Sequence, residues 1–324
     1  MSDQMIPASA PASSSGGLAS APVGLARRTG STSPAAHWRA FTTGVRLGWL
    51  MEANWTDPLL FFIYSVAKPL ATTFILVFMV LVIGGASNPQ FRAFVVVGSA
   101  LLSFVVAVIA GIAWSILDDR ERYRMLKYVY VSPSSFAVML VGRGAARVAI
   151  GAMGAVITLA VGVLFLGVPL DPSRIDWPLL AIAMVLGMVA ILAIGILLAS
   201  IILQTRQESW SYPEAVAGAL FLVVGAVFPL SVLPLPIQAV GLATPLTWWL
   251  AGVRHALFPD SLSSVGGPGS LFEQLTGHAT PQSGEIVLAL LLTGAVVTLV
   301  TGVVFRAAQR RVKERGLIDM TTGS

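Results

Sequence analysis

The chain has 324 residues, of which 56% are hydrophobic and 11% are charged; it has a formal net charge of +5 and no cysteine. A typical soluble domain carries about 25% charged residues, so a soluble fold of this composition would lack the polar surface that keeps it dissolved. Disulfides and thiolate metal sites are excluded, and the three histidines, His37, His255 and His278, match no metal-binding spacing. The composition instead predicts an all-α integral membrane protein.

The first 35 residues are rich in Ser, Ala, Pro and Gly. This composition predicts a disordered cytoplasmic tail, and no apolar stretch follows that would make it a signal peptide. The next segment carries apolar side chains at the spacing of one helix face, namely Trp38, Phe41, Val45 and Trp49. It predicts an amphipathic interfacial helix over about 36–55 on the cytoplasmic leaflet, or an extension of the first span.

Six stretches meet the requirement of roughly 20 predominantly apolar residues for a membrane-spanning helix. They cover about 58–84, 93–117, 148–170, 177–203, 212–232 and 285–305. The third has a cytoplasmic extension back to about Ser134. The predicted organisation is a disordered tail over 1–35, a six-span transmembrane domain over 36–315 and a cytoplasmic tail over 316–324.

A further apolar stretch, 233–258, is interrupted by Pro234, Pro236 and Pro245. Because proline removes a backbone donor and breaks helices, we predict two short re-entrant helices in the outer leaflet between the fifth and sixth spans. Trp248 and Trp249 would then lie at the membrane interface. The following segment, 259–284, is rich in Gly, Ser and Pro and predicts an external loop.

Lysine and arginine are distributed asymmetrically between the loops. With both termini inside, 16 of the 20 basic residues are cytoplasmic: Arg27, Arg28, Arg39, Arg46, Arg120, Arg122, Arg124, Lys127, Arg143, Arg147, Arg206, Arg306, Arg310, Arg311, Lys313 and Arg315. Only Arg92, Arg174 and Arg254 are outside, and Lys68 lies within the first span. The positive-inside rule therefore favours cytoplasmic termini and an even number of spans. We interpret Arg143 and Arg147, one turn apart, as anchors of this kind.

No nucleotide-binding motif is present, because none of the three lysines, Lys68, Lys127 and Lys313, follows a glycine as in a Walker A loop. No G-x-S-x-G nucleophile elbow occurs either. We therefore predict a protein that is not itself an enzyme and carries no cofactor or metal. If ATP drives it, another chain binds the ATP and Mg.

The segment 118–133 combines dense charge with aromatic and aliphatic residues: Asp118, Asp119, Arg120, Glu121, Arg122, Tyr123, Arg124, Met125, Leu126, Lys127, Tyr128, Val129 and Tyr130. A plain cytoplasmic loop does not need the apolar residues. Two interpretations remain open at this point. One is a short helix that docks into a groove of a soluble partner, and the other is a loop that lies against lipid headgroups.

Two segments resemble bacterial and archaeal ABC type-2 export permeases. The family commonly has E-x-G-T-L-E-x-L-x-x-(S/T)-P before the third span; Leu126 and the run Val131-Ser132-Pro133 match it, whereas Arg124 and Met125 replace the usual Gly and Thr. The second segment, 212–257, matches in order at Glu214, Phe228-Pro229-Leu230, Leu233-Pro234, Ile237-Gln238, Pro245-Leu246-Thr247 and Arg254. The resemblance extends over about 36–315.

The resemblance implies the membrane subunit of an ATP-driven exporter of a drug-like, lipid or glycan-type substrate in a prokaryotic plasma (inner) membrane. Two permeases, as a homodimer or a heterodimer, would bind two ABC ATPase subunits. The coupling helix would comprise Asp119, Glu121, Arg122, Tyr123, Arg124, Met125, Leu126 and Lys127, so that Leu126→Arg or Tyr123→Ala would weaken assembly. The re-entrant gate would comprise Pro229, Pro234, Pro245, Thr247 and Arg254.

Two ionisable residues inside predicted spans are candidates for a pathway contact. Lys68 lies in the first span and Glu214 near the inner end of the fifth. Snorkelling of Lys68, or ion pairing of these residues within the bundle, is the simpler interpretation. Two other functions stay open: an ion-coupled secondary transporter, which would usually show internal repeats, and a non-transporting membrane scaffold.

Overall fold

The computed structural model describes residues 33–53, 89–131, 135–205, 209–259 and 263–314, together with separate positions between 59 and 82. All regular secondary structure in these ranges is helical. The helices are α1 (Pro34–Ala53), α2 (Pro89–Leu117), α3 (Leu126–Val131), α4 (Phe136–Leu166), α5 (Trp177–Gln204), α6 (Tyr212–Val223), α7 (Leu235–Ala243), α8 (Pro245–Leu257), α9 (Leu271–Thr276) and α10 (Ser283–Glu314). A π-helical turn, Asp118–Arg122, continues α2.

Within the described residues, four helices are long and apolar enough to cross a membrane: Gln90–Arg122, Phe136–Leu166, Trp177–Gln204 and Ser283–Glu314. They correspond to the second, third, fourth and sixth predicted spans. Most of the first predicted span lies outside the described residues, as do nearly all of the predicted tails. Thr73, within that span, hydrogen-bonds Ser99 of α2 at 3.0 Å.

The predicted fifth span is wrong in its length, because α6 ends at Val223 rather than continuing to residue 232. Gly225 adopts a positive φ of 72°. Pro229 has no N–H to donate to the carbonyl of Gly225, four residues earlier. Instead, Arg254 donates a hydrogen bond to that carbonyl at 2.8 Å and another to the carbonyl of Ala226. The side chain of Arg254, from a distant part of the chain, thus supplies the donors that the next helical turn would have provided.

The helix ends converge at one side of the bundle, which we call the basic end. Arg143 of α4 bonds Asp119 after α2, Arg120 bonds the carbonyl of Ile202 in α5, and Arg311 of α10 bonds Gln204. The N terminus of α4 and the C termini of α2, α5 and α10 therefore meet there. The other side, where α2 begins, is called the opposite end.

Helix α1 lies along the first turns of α4, and glycines form the contact between them. A Cβ on Gly44 would collide with the backbone of Met139, and one on Gly142 would collide with that of Phe41. Small residues thus bring the two backbones together. Trp38, at 65% exposure, faces away from this contact. Trp38 and Trp49 of the predicted apolar face are exposed, whereas Phe41 and Val45 are half-buried beside α4; the predicted position on the cytoplasmic leaflet stays a prediction.

The predicted interruption of the stretch 233–258 is confirmed, since α7 follows Pro234 and α8 starts at Pro245. Trp249 of α8 is fully buried and packs on Gly187 of α5 and on the ring of Phe104, whose centroid lies 5.8 Å away. Trp248 is also buried. Both indoles are therefore enclosed by protein rather than exposed on the surface, and their predicted depth at the membrane interface stays a prediction.

The predicted external loop contains a helix that composition did not indicate, α9. Ser270 caps it by accepting the N–H of Glu273 at 3.2 Å, and the Glu273 carboxylate accepts the N–H of Gly269 at 2.6 Å. The first bond satisfies a helix N-terminal donor, and the second connects the residue before the cap to the first turn. Leu271 donates its N–H to buried Gln238 of α7 at 2.7 Å, which fixes the loop against the α7–α8 hairpin.

Candidate functional site

The segment Asp118–Val131 projects from the basic end between α2 and α4. Its first part keeps helical geometry but widens to a π turn, closed by the N–H of Tyr123 donating to the carbonyl of Asp118 at 2.8 Å. Arg124 then adopts a φ of 49°, the left-handed region that side chains disfavour. This residue separates the π turn from α3, which begins two residues later.

A buried ion pair fixes the start of this segment. Asp119 is fully buried and Arg143 is 1% exposed. The Nη2 of Arg143 donates to Oδ1 of Asp119 at 3.0 Å and Nη1 to the other carboxylate oxygen, a bidentate arrangement of the strongest kind. Nη1 also donates to the carbonyl of Ser115 at 3.2 Å. Arg143 is therefore an internal partner and not the headgroup anchor that the sequence predicted.

Arg120 attaches the same turn to a third helix. It is 6% exposed, and its Nη1 donates to the carbonyls of Ile202 at 3.0 Å and Thr205 at 2.8 Å. Its Nε donates to Glu121 at 2.8 Å. These carbonyls belong to the C-terminal turn of α5, where helix carbonyls lack internal donors and a cation is favourable. The segment is thus joined to α2, α4 and α5 together.

The described side chains of the segment Asp118–Val131, which include most of the predicted coupling residues, divide into two faces. Asp119, Leu126 (2% exposed) and Val129 point into the protein. Tyr123 and Tyr128 are 38% and 69% exposed; together with exposed Arg122 and Arg124 they form what we call the tip surface. Glu121 and Met125 are half-buried, and the side chain of Lys127 is outside the described residues. Leu126→Arg would therefore disrupt internal packing and does not test partner binding.

Arg254 organises the predicted gate at the opposite end. It is 2% exposed, and its guanidinium carbon lies 3.7 Å from the ring centroid of Phe94. Its Nη2 donates to the carbonyl of Phe94 at 2.8 Å, in addition to its bonds with Gly225 and Ala226. It therefore connects α8, the end of α6 and the start of α2. Gly98 permits this, because a Cβ there would overlap the guanidinium.

The other predicted gate residues occupy different positions. Pro229 precedes the short turn Leu230–Val232, Pro234 is exposed, and Pro245 is buried at the start of α8. Thr247 is fully buried. These positions lie within the α7–α8 hairpin or just before it, and their role as a gate stays a prediction.

The predicted pathway contact by Lys68 and Glu214 stays a prediction. Lys68 lies outside the described residues, and Glu214 is exposed in the first turn of α6. Among the described residues, no group of three His, Asp or Glu side chains could hold a metal ion.

Sequence reasoning missed the partners of the buried cations. Asp119 and Arg143 are separated by 24 positions, and Arg254 and Phe94 by 160. The available signal was that an arginine in an apolar segment needs a partner or an aqueous route. That signal indicates that a partner exists but does not identify it.

Comparison with known proteins supplies the family context. A family model described as ABC-2 type transporter matches residues 47–258, more than half of the chain and all of both segments described above. No match was found among curated proteins.

Proposed function

We propose, from the premise that this chain belongs to the ABC-2 type transporter family, that it is the permease subunit of an ATP-driven exporter. The protein is a multi-pass membrane protein with apolar helices long enough to span a bilayer. In the proposed complex, two permeases, either two copies of this chain or this chain with a second permease, bind two ABC ATPase subunits that hold ATP and Mg. Its cargo is a drug-like, lipid or glycan-type substrate moved outward.

The observation that carries the proposal is the construction of the Asp118–Val131 segment. Its base is fixed by the Asp119–Arg143 pair and by the bonds of Arg120, whereas the tip surface is exposed. Aromatic and guanidinium side chains of this kind are enriched where one protein docks on another. A partner bound at the tip would displace α2, α4 and α5 as a unit, because all three are attached to the same turn.

Six spans with both termini in the cytoplasm complete the proposed topology. The concentration of basic residues at the basic end supports this orientation, since positively charged segments stay in the cytoplasm. The ATPase would then bind at the basic end, alongside α1. The α7–α8 hairpin would form the re-entrant gate near the outer surface, with Arg254 joining it to α2 and α6.

The test is copurification of the tagged full chain with its ATPase subunit, followed by ATP hydrolysis. We expect Tyr128→Ala and Arg124→Glu each to reduce recovery of the ATPase and hydrolysis by the complex, because both residues lie on the tip surface. Trp177→Ala is the matched control: Trp177 is 60% exposed but starts α5 at the opposite end. The chain purified alone should hydrolyse no ATP.

Three outcomes would contradict the proposal. Normal ATPase recovery with both tip variants would remove the coupling role from this segment. Transport driven by an ion gradient without an ATPase would support a secondary transporter. Partner binding without substrate-dependent flux would support a scaffold.

A further inference from the structure

The charges of the segment Asp118–Val131 are ordered along the chain. Its three acidic residues come first and three of its four cations follow them: Asp118, Asp119 and Glu121, then Arg122, Arg124 and Lys127. The next acidic residue in the sequence is Asp171. The overall composition of the segment is almost balanced, but its acidic residues lie at its base and its cations extend toward the tip surface.

Internal partners hold the acidic side chains of this segment. Asp119 is fully buried and accepts Nη2 of Arg143 at 3.0 Å. Glu121 accepts Nε of Arg120 at 2.8 Å. Asp118 is half-buried and interacts electrostatically with three neighbouring arginines. The fold therefore turns the negative charge of the segment back onto the protein, and none of these carboxylates belongs to the tip surface.

Arg124 is the cation that the fold leaves without an internal partner. It is exposed, and within the described part of the chain it makes no hydrogen bond or ion pair. Arg122 is also exposed, with its guanidinium carbon 5.9 Å from the ring centroid of Tyr123. In the export-permease pattern given above, glutamates occupy the positions of Arg122 and Lys127. The positive charge of the tip surface therefore distinguishes this chain from the usual form of the family.

The far end of the segment extends beyond the lipid headgroups in the proposed topology. Helix α4 starts at Phe136, 12 residues before its uncharged stretch begins at Val148. At 1.5 Å per residue this length is about 18 Å, whereas the headgroup layer on each side of a bilayer is about 5–8 Å thick. A segment that extends this far into water can be enclosed by a soluble partner, and this geometry favours a protein over a lipid surface.

We propose that the tip surface docks into an acidic groove of the ATPase subunit, where Arg124 pairs with a carboxylate of that subunit. The inference rests on the proposed function, which assigns the ATPase to the basic end. Tyr123 and Tyr128 supply the apolar part of the contact, and the charge determines which ATPase fits. An ATPase with a basic groove is rejected, because like charges that meet across an interface repel each other.

A charge series at position 124 measures this complementarity. Arg124→Lys, Arg124→Gln and Arg124→Glu keep an extended side chain on the same left-handed backbone and differ chiefly in charge. The affinity of the full chain in detergent for the ABC ATPase subunit that copurifies with wild type should be unchanged in Arg124→Lys. It should fall about fivefold in Arg124→Gln, the upper value for an exposed ion pair, and further in Arg124→Glu.

Salt separates a charge effect from a packing effect in the same series. At about 1 M salt the screening length is only about 3 Å, so the differences between the variants should shrink to less than twofold. Arg174→Glu is the matched control, because it makes the same change of charge at an exposed position of the opposite end. It should bind the ATPase as wild type does.

A zero-length crosslink identifies the partner group directly. A carbodiimide joins an amine to a carboxylate only when the two are in contact, and the chain has just three lysines of its own. Arg124→Lys adds an amine to the tip surface, and mass spectrometry of the complex should show this position linked to an Asp or Glu of the ATPase. Arg174→Lys should show no such link. The reaction is run in nanodiscs that contain phosphatidylserine, whose headgroup also carries a carboxylate.

The outcomes that would overturn the proposal are distinct. Linkage of Arg124→Lys only to phosphatidylserine would assign a lipid surface, and linkage only to a carboxylate of this chain, such as Glu208 outside the described residues, would assign an internal partner. Equal binding across the charge series, with binding lost in Tyr128→Ala, would remove the acidic groove and leave the proposed function intact. A wild-type chain that recovers no ATPase would overturn both.

Discussion

The buried pair of Asp119 and Arg143 can be tested by asking whether the double variant is more or less stable than each single variant. The perturbation is a double-mutant cycle of Asp119→Leu, Arg143→Met and the two together. Each single variant leaves one charge buried without its partner, and both residues are almost completely enclosed. The double variant leaves no charge and fills the space with apolar side chains.

The expected magnitudes follow from this geometry. Breaking a buried ion pair by removing one partner typically costs about 3–5 kcal/mol, whereas replacing both members with apolar residues is often neutral. We therefore expect each single variant of Asp119 or Arg143 to lower the free energy of unfolding by about 3–5 kcal/mol. The double variant should be more stable than either single one. Arg143 also donates to the carbonyl of Ser115, so the double variant does not fully regain wild-type stability.

The assay is reversible unfolding in mixed micelles titrated with SDS and followed by the fluorescence of the eight tryptophans. Glu121→Gln serves as the control, because Glu121 bonds Arg120 at 2.8 Å but its side chain is 29% exposed. Such a pair contributes at most about 1 kcal/mol. Additive losses in the double variant would refute the reasoning, as would losses in the single variants no larger than that of Glu121→Gln.

Three further predictions use the same unfolding assay. Gly98→Ala should cost about 1–3 kcal/mol because its Cβ overlaps Arg254, whereas Gly218→Ala, with open space around it, should cost nothing; equal effects would contradict the close approach. Arg124→Gly should add up to about 1 kcal/mol by relieving the φ of 49°, and a loss would show that the side chain stabilises the turn. His278 Nε2 donates a hydrogen bond to the Glu285 carboxylate at 2.9 Å, which raises the pKa of His278 above its usual 6.5. The stabilisation from this pair is therefore complete below pH 6.5 and is lost as pH rises through the raised pKa; a His278→Gln variant that keeps the same pH profile would disprove this.

The sequence predicted the long helices well because their signal is local. A continuous apolar stretch determines whether a helix spans a bilayer, so the predicted spans 93–117 and 177–203 nearly coincide with α2 and α5. The prolines that divide α7 from α8 act on their own neighbours, and they too were predictable. The predicted length of the fifth span was wrong because its cause is not local. Just after α6 ends, the carbonyls of Gly225 and Ala226 accept hydrogen bonds from Arg254, which lies far along the chain.

The candidate site was predictable as a segment but not as a surface. Charge and aromatic content identified 118–133 as the candidate segment, yet only some of the side chains of α3 are exposed. Which side faces out depends on the π turn and on the left-handed residue Arg124, neither of which composition indicates. The export-permease pattern usually has glycine at this position, and a glycine adopts this backbone without strain. The geometry thus gives a physical reason for the family preference.

The buried arginines also change how the charge asymmetry should be tested. Arg120 and Arg143 count toward the positive-inside distribution, but both are enclosed by protein and bonded to it. Neutralising either would disturb folding and orientation together, and the two effects could not be separated. Exposed Arg306 and Arg310 lie at the same end of α10. Because orientation depends on charge near the ends of the spans, changes at these exposed positions test topology without disturbing the internal bonds that hold the basic end together.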